Sequence, residues 1–145
     1  MDNTAKGRGI IKAGMNSRNI GTAVHFIHEN LEKPLTLKQV SRESGMSKYH
    51  FARIFKSVTG ESFKTYHNHK RIEKAKDLLM RPANNITDVC YATGFNDLSY
   101  FNRVFRKFEG MNPSLYKRKI NKGCLEKLEF SSENRELENQ KMQHI

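Results

Sequence analysis

Apolar residues along this chain recur mostly at spacings of three and four, the pattern that places them on one face of an amphipathic helix. The longest such stretch spans residues 62–80 and contains neither Gly nor Pro. Its apolar positions are Phe63, Tyr66, Ile72, Ala75, Leu78 and Leu79, and its basic positions are Lys64, Lys70, Arg71, Lys74 and Lys76. The pattern predicts one long central helix of about 28 Å, with its basic residues on the polar face.

Residues 36–60 show the pattern of a helix-turn-helix unit. Thr36 and Gln39 match a capping box that starts one short helix, and Gly45 tolerates the left-handed turn that would end it. Ser47 is a preferred N-cap for the next helix. A short helix, a glycine turn and a second capped helix are typical of this motif. The inward face of the second helix is expected to hold Phe51, Ile54, Phe55 and Val58.

The same unit recurs about 50 residues later. At an offset of 49, Leu37, Val40 and Gly45 correspond to Ile86, Val89 and Gly94. At an offset of 50, the matching pairs are Ser47 and Asp97, Phe51 and Phe101, Arg53 and Arg103, Phe55 and Phe105, and Gly60 and Gly110. Asn85 is the expected N-cap of the unit's first helix, and Pro113 suits the first turn of a closing helix. Two copies predict a duplicated unit rather than a stacked array.

The predicted fold is therefore an all-α, seven-helix domain with two helix-turn-helix units joined by a long central helix. A first helix over residues 18–31 completes the first unit. The predicted organisation is a flexible lead over 1–17, a domain over 18–119 (first unit 18–61, central helix 62–80, second unit 81–119), and a polar tail over 120–145. The tail is expected to be either disordered or a marginal helix.

The basic charge of the chain falls on the predicted domain. The net charge is +11, and residues 120–145 contribute −1, so residues 1–119 carry +12. Such an excess favours a polyanionic partner, chiefly nucleic acid, with an anionic membrane surface or simple solubility as alternatives. No apolar run approaches the ~20 residues of a membrane span, and no apolar segment follows the N-terminal basic residues as in a secretory signal. We expect a cytoplasmic protein without membrane association.

The polar faces of the two Ser- or Asp-capped helices carry matching side chains. The sets are Tyr49, Ala52, Arg53 and Lys56 in the first unit and Ser99, Asn102, Arg103 and Arg106 in the second. Arg53 and Arg103 could each donate two hydrogen bonds to a guanine, and Asn102 has the amide suited to adenine. The alternative is the ordinary solvated face of an amphipathic helix, but its repetition on two basic units favours DNA reading.

A second group of positions is expected near phosphates. The side chains are those of Lys48, Lys56, Arg106 and Lys107, and the helix N-termini are those capped by Thr36, Ser47 and Asn85. Backbone amides at a helix N-terminus bind anions, and basic side chains neutralise the DNA backbone. Each lysine on its own is equally consistent with solubility.

The residues also carry a family resemblance. The stretch 94–107 (GFNDLSYFNRVFRK), followed by GMNP at 110–113 and YKR at 116–118, closely resembles the motif of AraC/XylS-type bacterial transcription regulators. The first unit, with GMS at 45–47 and Phe55-Lys56, fits the same family less specifically. The resemblance implies base contacts from Tyr49, Ala52, Arg53, Leu98, Ser99, Asn102 and Arg103. Ala52 and Leu98 depart from the family pattern, which bears on the target sequence.

The resemblance also implies partners. The family binds double-stranded promoter DNA, most often activates by contacting RNA polymerase, and includes short members that bind DNA as monomers. The flanks of the predicted domain are too short for a sensory fold, so this chain resembles the short, stand-alone type; a fragment of a longer regulator would look the same. The residues themselves favour neither activation nor repression.

The sequence has no pattern typical of an enzyme or of a metal-binding protein. The histidines show no ligand spacing, the carboxylates lie at caps or on polar faces, and no Gly-rich phosphate loop precedes a helix. Cys90 and Cys124 form no CxxC pair and are expected to be reduced, with Cys90 packed in a core. We therefore expect neither an enzyme nor a metal or cofactor site. The remaining rival is an adaptor that binds RNA polymerase or another regulator without reading DNA.

Overall fold

The computed structural model describes the backbone of residues 2–123 and the side chains of residues 14–123. This part of the chain is entirely helical apart from its turns, which confirms the predicted all-α fold. The helices are α1 (Asp2–Glu29), α2 (Leu37–Ser44), α3 (Lys48–Thr59), α4 (Phe63–Leu79), α5 (Ile86–Ala92), α6 (Leu98–Glu109) and α7, which begins at residue 113 and continues to residue 123. None of the helices in the described residues is long and apolar enough to cross a membrane.

The helix ends form where the local chemistry predicts them. Thr36 makes both bonds of a capping box with Gln39, and the Ser47 hydroxyl accepts from the His50 amide. Asn85 and Asp97 cap the corresponding helices of the second unit. The two helix-turn-helix turns each need a positive φ, +73° at Gly45 and +95° at Gly94, which favours glycine.

The two units have separate hydrophobic cores that share α4. The first core contains Ile20, Ala23, Ile27, Val40, Phe51, Phe55, Phe63 and Tyr66. The second contains Ile72, Ala75, Leu79, Val89, Cys90, Phe95, Phe101, Val104 and Phe105. The N-terminal half of α4 thus packs in one unit and its C-terminal half in the other. As expected, Cys90 is a packing residue, and burial raises the pKa of its thiol.

Four predictions need correction. The chain is helical from Asp2, so the helix begins well before residue 18; residues 2–17 lack periodicity, but they also lack proline and include good helix formers such as Ala and Lys. Val58, expected to face inward, is 54% exposed, because Phe51 and Phe55 fill the core and α3 ends one residue later.

Arg71, which was predicted to lie on the polar face of the central helix, is buried. The closing helix passes 119 and includes 120–123, which were assigned to the tail; the remaining tail and Cys124 lie outside the described residues.

Candidate DNA interface

Helix α3 turns one face to solvent because its opposite face is anchored by two phenylalanines. Phe51 and Phe55 are fully buried and pack with their rings 5.3 Å apart. Tyr49, by contrast, is 86% exposed, although a tyrosine ring is a large apolar surface to leave in water. The other predicted contact residues of α3 are also outside the core: Lys48, Arg53 and Lys56 are exposed and Ala52 is half-buried.

Helix α6 repeats this arrangement in the second unit. Phe101 and Phe105 are buried with their rings 5.8 Å apart, as in α3. The polar face carries Ser99, Arg103, Arg106 and Lys107 exposed, with Leu98 and Asn102 half-buried. Asn102 lines a shallow depression of about 260 Å³ together with Arg103 and Arg106. The structure thus brings together on each helix the side chains that the sequence predicted as base contacts.

The exposed faces of both helices carry positive charge that is free to meet a polyanion. Helix α3 contains basic residues and no acidic one. The single acidic residue of α6, Glu109, lies at its end and pairs with Lys76 of α4 at 3.1 Å. Within the described residues, none of the basic side chains of α3 or α6 is engaged in an ion pair. The positive field of these faces is therefore not cancelled by neighbouring carboxylates.

Each of the two arginines that are predicted to contact bases also contacts a neighbouring side chain on its own helix. Arg53 Nη2 lies 3.3 Å from His50 Nδ1, within hydrogen-bond distance. The Arg103 guanidinium lies 5.8 Å from the centre of the Tyr100 ring, a cation–π distance. Tyr100 in turn accepts a hydrogen bond at 3.0 Å from Asn68 of α4, which ties α6 to the central helix. These contacts restrict the long side chains and leave guanidinium donors available to a partner.

Three of the predicted phosphate positions are helix N-termini, and the structure shows that their side chains already serve as helix caps. The side-chain oxygens of Thr36, Ser47 and Asn85 are used as caps, accepting from backbone amides at 3.2, 3.3 and 2.7 Å. A phosphate at these ends would therefore meet the earlier amides of the first turn rather than the capping side chains. The phosphate role of these positions stays a prediction.

The residues that join the two units were not among the predicted site residues. Arg71 of α4 donates from Nε to the Leu31 carbonyl at 2.8 Å and from Nη2 to the Lys33 carbonyl at 2.7 Å. His67, one turn earlier, also hydrogen-bonds the Leu31 carbonyl, at 3.3 Å. Burial, and then the charge of Arg71, lowers the pKa of His67 to about 4, so this imidazole is neutral at pH 7 and donates from Nε2.

Sequence comparison identifies the family. A model described as a helix-turn-helix domain matches residues 40–119, more than half of the chain. The MmsAB operon regulatory protein of Pseudomonas aeruginosa is 32% identical over 98 residues, which cover 68% of this chain and 32% of that protein. An AraC-type transcriptional regulator from Chromobacterium violaceum has the same fold, with a TM-score of 0.66 at 23% identity over 72% of this chain and 93% of that chain. The chain belongs to the AraC/XylS family.

This membership makes the chain part of a family of DNA-binding transcription regulators and not of enzymes. It spans about a third of the length of the curated relatives that it matches. The same fold occurs in the DNA-binding domain of the transcriptional factor AdpA, solved in complex with a target DNA, with a TM-score of 0.66 at 23% identity over 69% of this chain and 90% of that chain. Among the described residues, no group of three or more His, Cys, Asp or Glu side chains is placed to hold a metal ion.

Proposed function

We propose that this AraC/XylS-family protein is a sequence-specific regulator, an activator, that inserts α3 and α6 into neighbouring major-groove segments of promoter DNA. The observation that carries the proposal is the duplicated exposed face. Arg53 and Arg103 occupy the same position of the two units, each opposite a buried pair of phenylalanines and each without a carboxylate partner in the described chain. An ordinary solvated face has no reason to repeat in this way.

The length of α4 agrees with binding across successive grooves. Its 17 residues extend about 26 Å along the helix axis, with the first core packed on its N-terminal half and the second core on its C-terminal half. One turn of B-form DNA is about 34 Å, so two units built on one helix of this length suit the insertion of α3 and α6 into consecutive exposures of the major groove on one face.

The side chains then divide into two groups by their chemistry. Arg53 and Arg103 would donate to the O6 and N7 atoms of guanine, and Asn102 would pair with adenine. Tyr49 and Ala52 on α3 would make apolar contact with a thymine methyl, and Leu98 on α6 is the further base contact that the family resemblance implies. Ser99 can donate to either kind of base edge. Lys48, Lys56, Arg106 and Lys107 would neutralise phosphates, which sets the register but reads no sequence.

The names of the relatives support this assignment without extending it. The MmsAB protein is described as an operon regulator, and the AdpA domain was solved on its target DNA. The proposal includes direct contact with RNA polymerase, binding as a monomer and a cytoplasmic location. Sedimentation of the protein with a labelled duplex tests the monomer, since one chain per duplex is expected.

The decisive experiment selects binding sites from a random duplex pool with the full chain and then titrates salt on the selected site. We expect two short conserved blocks about one DNA turn apart, and an affinity that falls steeply with salt because bound phosphates release counterions. Weak binding without sequence preference would refute the proposal and favour the adaptor that contacts RNA polymerase or another regulator.

Two variants identify the base readers. Arg53→Ala and Arg103→Ala should each weaken binding to the selected site by about 1–3 kcal/mol and relax the base preference at one block. Arg18→Ala is the matched control, because Arg18 is an exposed basic residue on α1 and belongs to neither α3 nor α6. Equal losses on random DNA would make the two arginines phosphate contacts instead.

A further inference from the structure

Arg71 lies on α4 at the boundary between the two cores. On its N-terminal side α4 supplies Tyr66 to the first core, and on its C-terminal side Ile72 to the second. Arg71 itself is only 8% exposed, although a guanidinium is costly to remove from water. Its hydrogen bonds to the Leu31 and Lys33 carbonyls replace that water, and both carbonyls belong to the loop between α1 and α2 of the first unit.

The other side of the same guanidinium faces the second unit. Its central carbon lies 5.4 Å from the centre of the Phe95 ring, which is buried in the turn before α6. The adjacent Gly94 approaches the first unit so closely that a Cβ there would lie 2.7 Å from the Glu32 carbonyl oxygen and 2.9 Å from Arg71 Nη2. Arg71 thus lies between the α1–α2 loop of the first unit and the α5–α6 turn of the second unit, and it contacts both. This contact region is called the junction below.

We propose that Arg71 is a positioning residue that fixes the orientation of the second helix-turn-helix unit relative to the first, and thereby the spacing of the two DNA blocks that the protein binds at once. The inference rests on the proposed function for its DNA consequence. These contacts are specific to arginine, because a planar guanidinium can donate to two separate carbonyls while its face lies on an aromatic ring. A lysine ammonium can fill one of these roles but not all three.

A second contact across the same junction has a different character. Lys74 pairs with Glu32, so α4 also reaches the α1–α2 loop through a surface ion pair. Glu32 is largely exposed, and such pairs contribute little because water screens them. Lys74→Ala is therefore a matched control for Arg71→Lys: it touches the same loop from the same helix and should leave the junction in place.

The test uses the selected DNA site and derivatives with one or two base pairs inserted between the blocks. Each inserted base pair turns one block by about 35° relative to the other. Wild-type protein and Lys74→Ala should lose about tenfold or more in affinity on insertion, whereas Arg71→Lys should bind the original site about tenfold more weakly and lose less than about threefold on insertion. Binding to a duplex with a single block should be the same for all three proteins.

A merely structural role for Arg71 predicts a different result. It would weaken single-block and two-block binding together and keep the wild-type penalty for insertion, and either finding would overturn the proposal. Should Arg71→Lys fail to fold, Gly94→Ala perturbs the junction from the other side and is compared with Gly45→Ala, which alters the equivalent turn away from the junction. An unchanged spacing preference in Gly94→Ala would overturn the proposal.

A measurement without DNA separates this inference from the proposed function. Residual dipolar couplings of the full chain in a neutral stretched gel report the orientation of each unit. The two units of the wild-type protein should share one alignment tensor, and in Arg71→Lys they should require two. One shared tensor in the variant would refute the positioning role, whatever DNA the protein binds. Failure of the wild-type protein to select a DNA motif would instead refute the proposed function alone.

Discussion

The close approach of Gly94 to the first unit leads to a quantitative comparison of two alanine substitutions. Gly45 and Gly94 occupy the same turn of the duplicated unit, with φ of +73° and +95°. A Cβ at Gly45 meets nothing within 4 Å, so Gly45→Ala changes only the backbone preference. At Gly94 the same methyl would lie 2.7 Å from the Glu32 carbonyl oxygen and 2.9 Å from its carbon. Backbone atoms cannot move aside as a flexible side chain can.

The two free-energy losses follow from these geometries. A non-glycine residue in the left-handed region costs about 1–2 kcal/mol, partly offset by about 0.4–1 kcal/mol because alanine restricts the unfolded chain. We therefore expect Gly45→Ala to destabilise by about 1 kcal/mol. Gly94→Ala has the same backbone cost and an overpacking cost of about 1–3 kcal/mol in addition, for a total of about 2–4 kcal/mol.

Urea denaturation followed by far-ultraviolet circular dichroism measures both losses, and amide hydrogen exchange shows which unit opens. Gly94→Ala should lower protection in the α1–α2 loop as well as in its own turn, because the clash is with the opposite unit. Gly45→Ala should act only within the first unit. Equal losses for the two variants, or exchange confined to the second unit, would show that the junction is not tightly packed.

Three further outcomes are expected. His67 should lower the free energy of unfolding by about 2 kcal/mol between pH 7 and pH 5, since its folded pKa is about 4 and the unfolded chain takes up this proton below about 6.5. In urea titrations the wild-type protein should therefore lose more stability over this pH range than His67→Gln. Phe105→Ala should cost about 3–5 kcal/mol, measured the same way, because the ring is fully buried. Lys56→Ala should lower the slope of log affinity against log salt by about 1 and leave base preference unchanged.

Local chemistry explains why most of the fold could be predicted. Helix starts depend on one side chain next to its own backbone, and the caps Thr36, Ser47, Asn85 and Asp97 all form as expected. The recognition faces follow from the three- and four-residue spacing of the phenylalanines on α3 and α6. The base-contact and phosphate assignments built on these faces remain predictions, because they depend on a partner.

The errors occur where the outcome depends on residues distant in the chain. Periodicity marks Val58 as apolar and correctly spaced, but it does not show that Phe51 and Phe55 already fill the core. It marks Arg71 as polar, although the position lies on the buried face. Every fourth residue of that face is buried, namely Phe63, His67, Arg71, Ala75 and Leu79. A basic residue in the middle of a buried series was the one sequence feature that could have identified Arg71 as buried. Such a residue needs hydrogen-bond acceptors inside the protein, and only the tertiary structure shows that these are the Leu31 and Lys33 carbonyls.

The duplication also explains why the sequence does not reveal the contact between the two units. Gly45 and Gly94 occupy matching positions of the repeat, so the left-handed turn is enough to explain why both positions hold glycine. Gly94 is also required because the Glu32 carbonyl leaves no room for a Cβ, and Gly45 has no such neighbour. Two copies of one unit cannot by themselves define how they are arranged, since each carries the same internal contacts. The arrangement must come from something present once, and Arg71, on the single central helix, is such a residue.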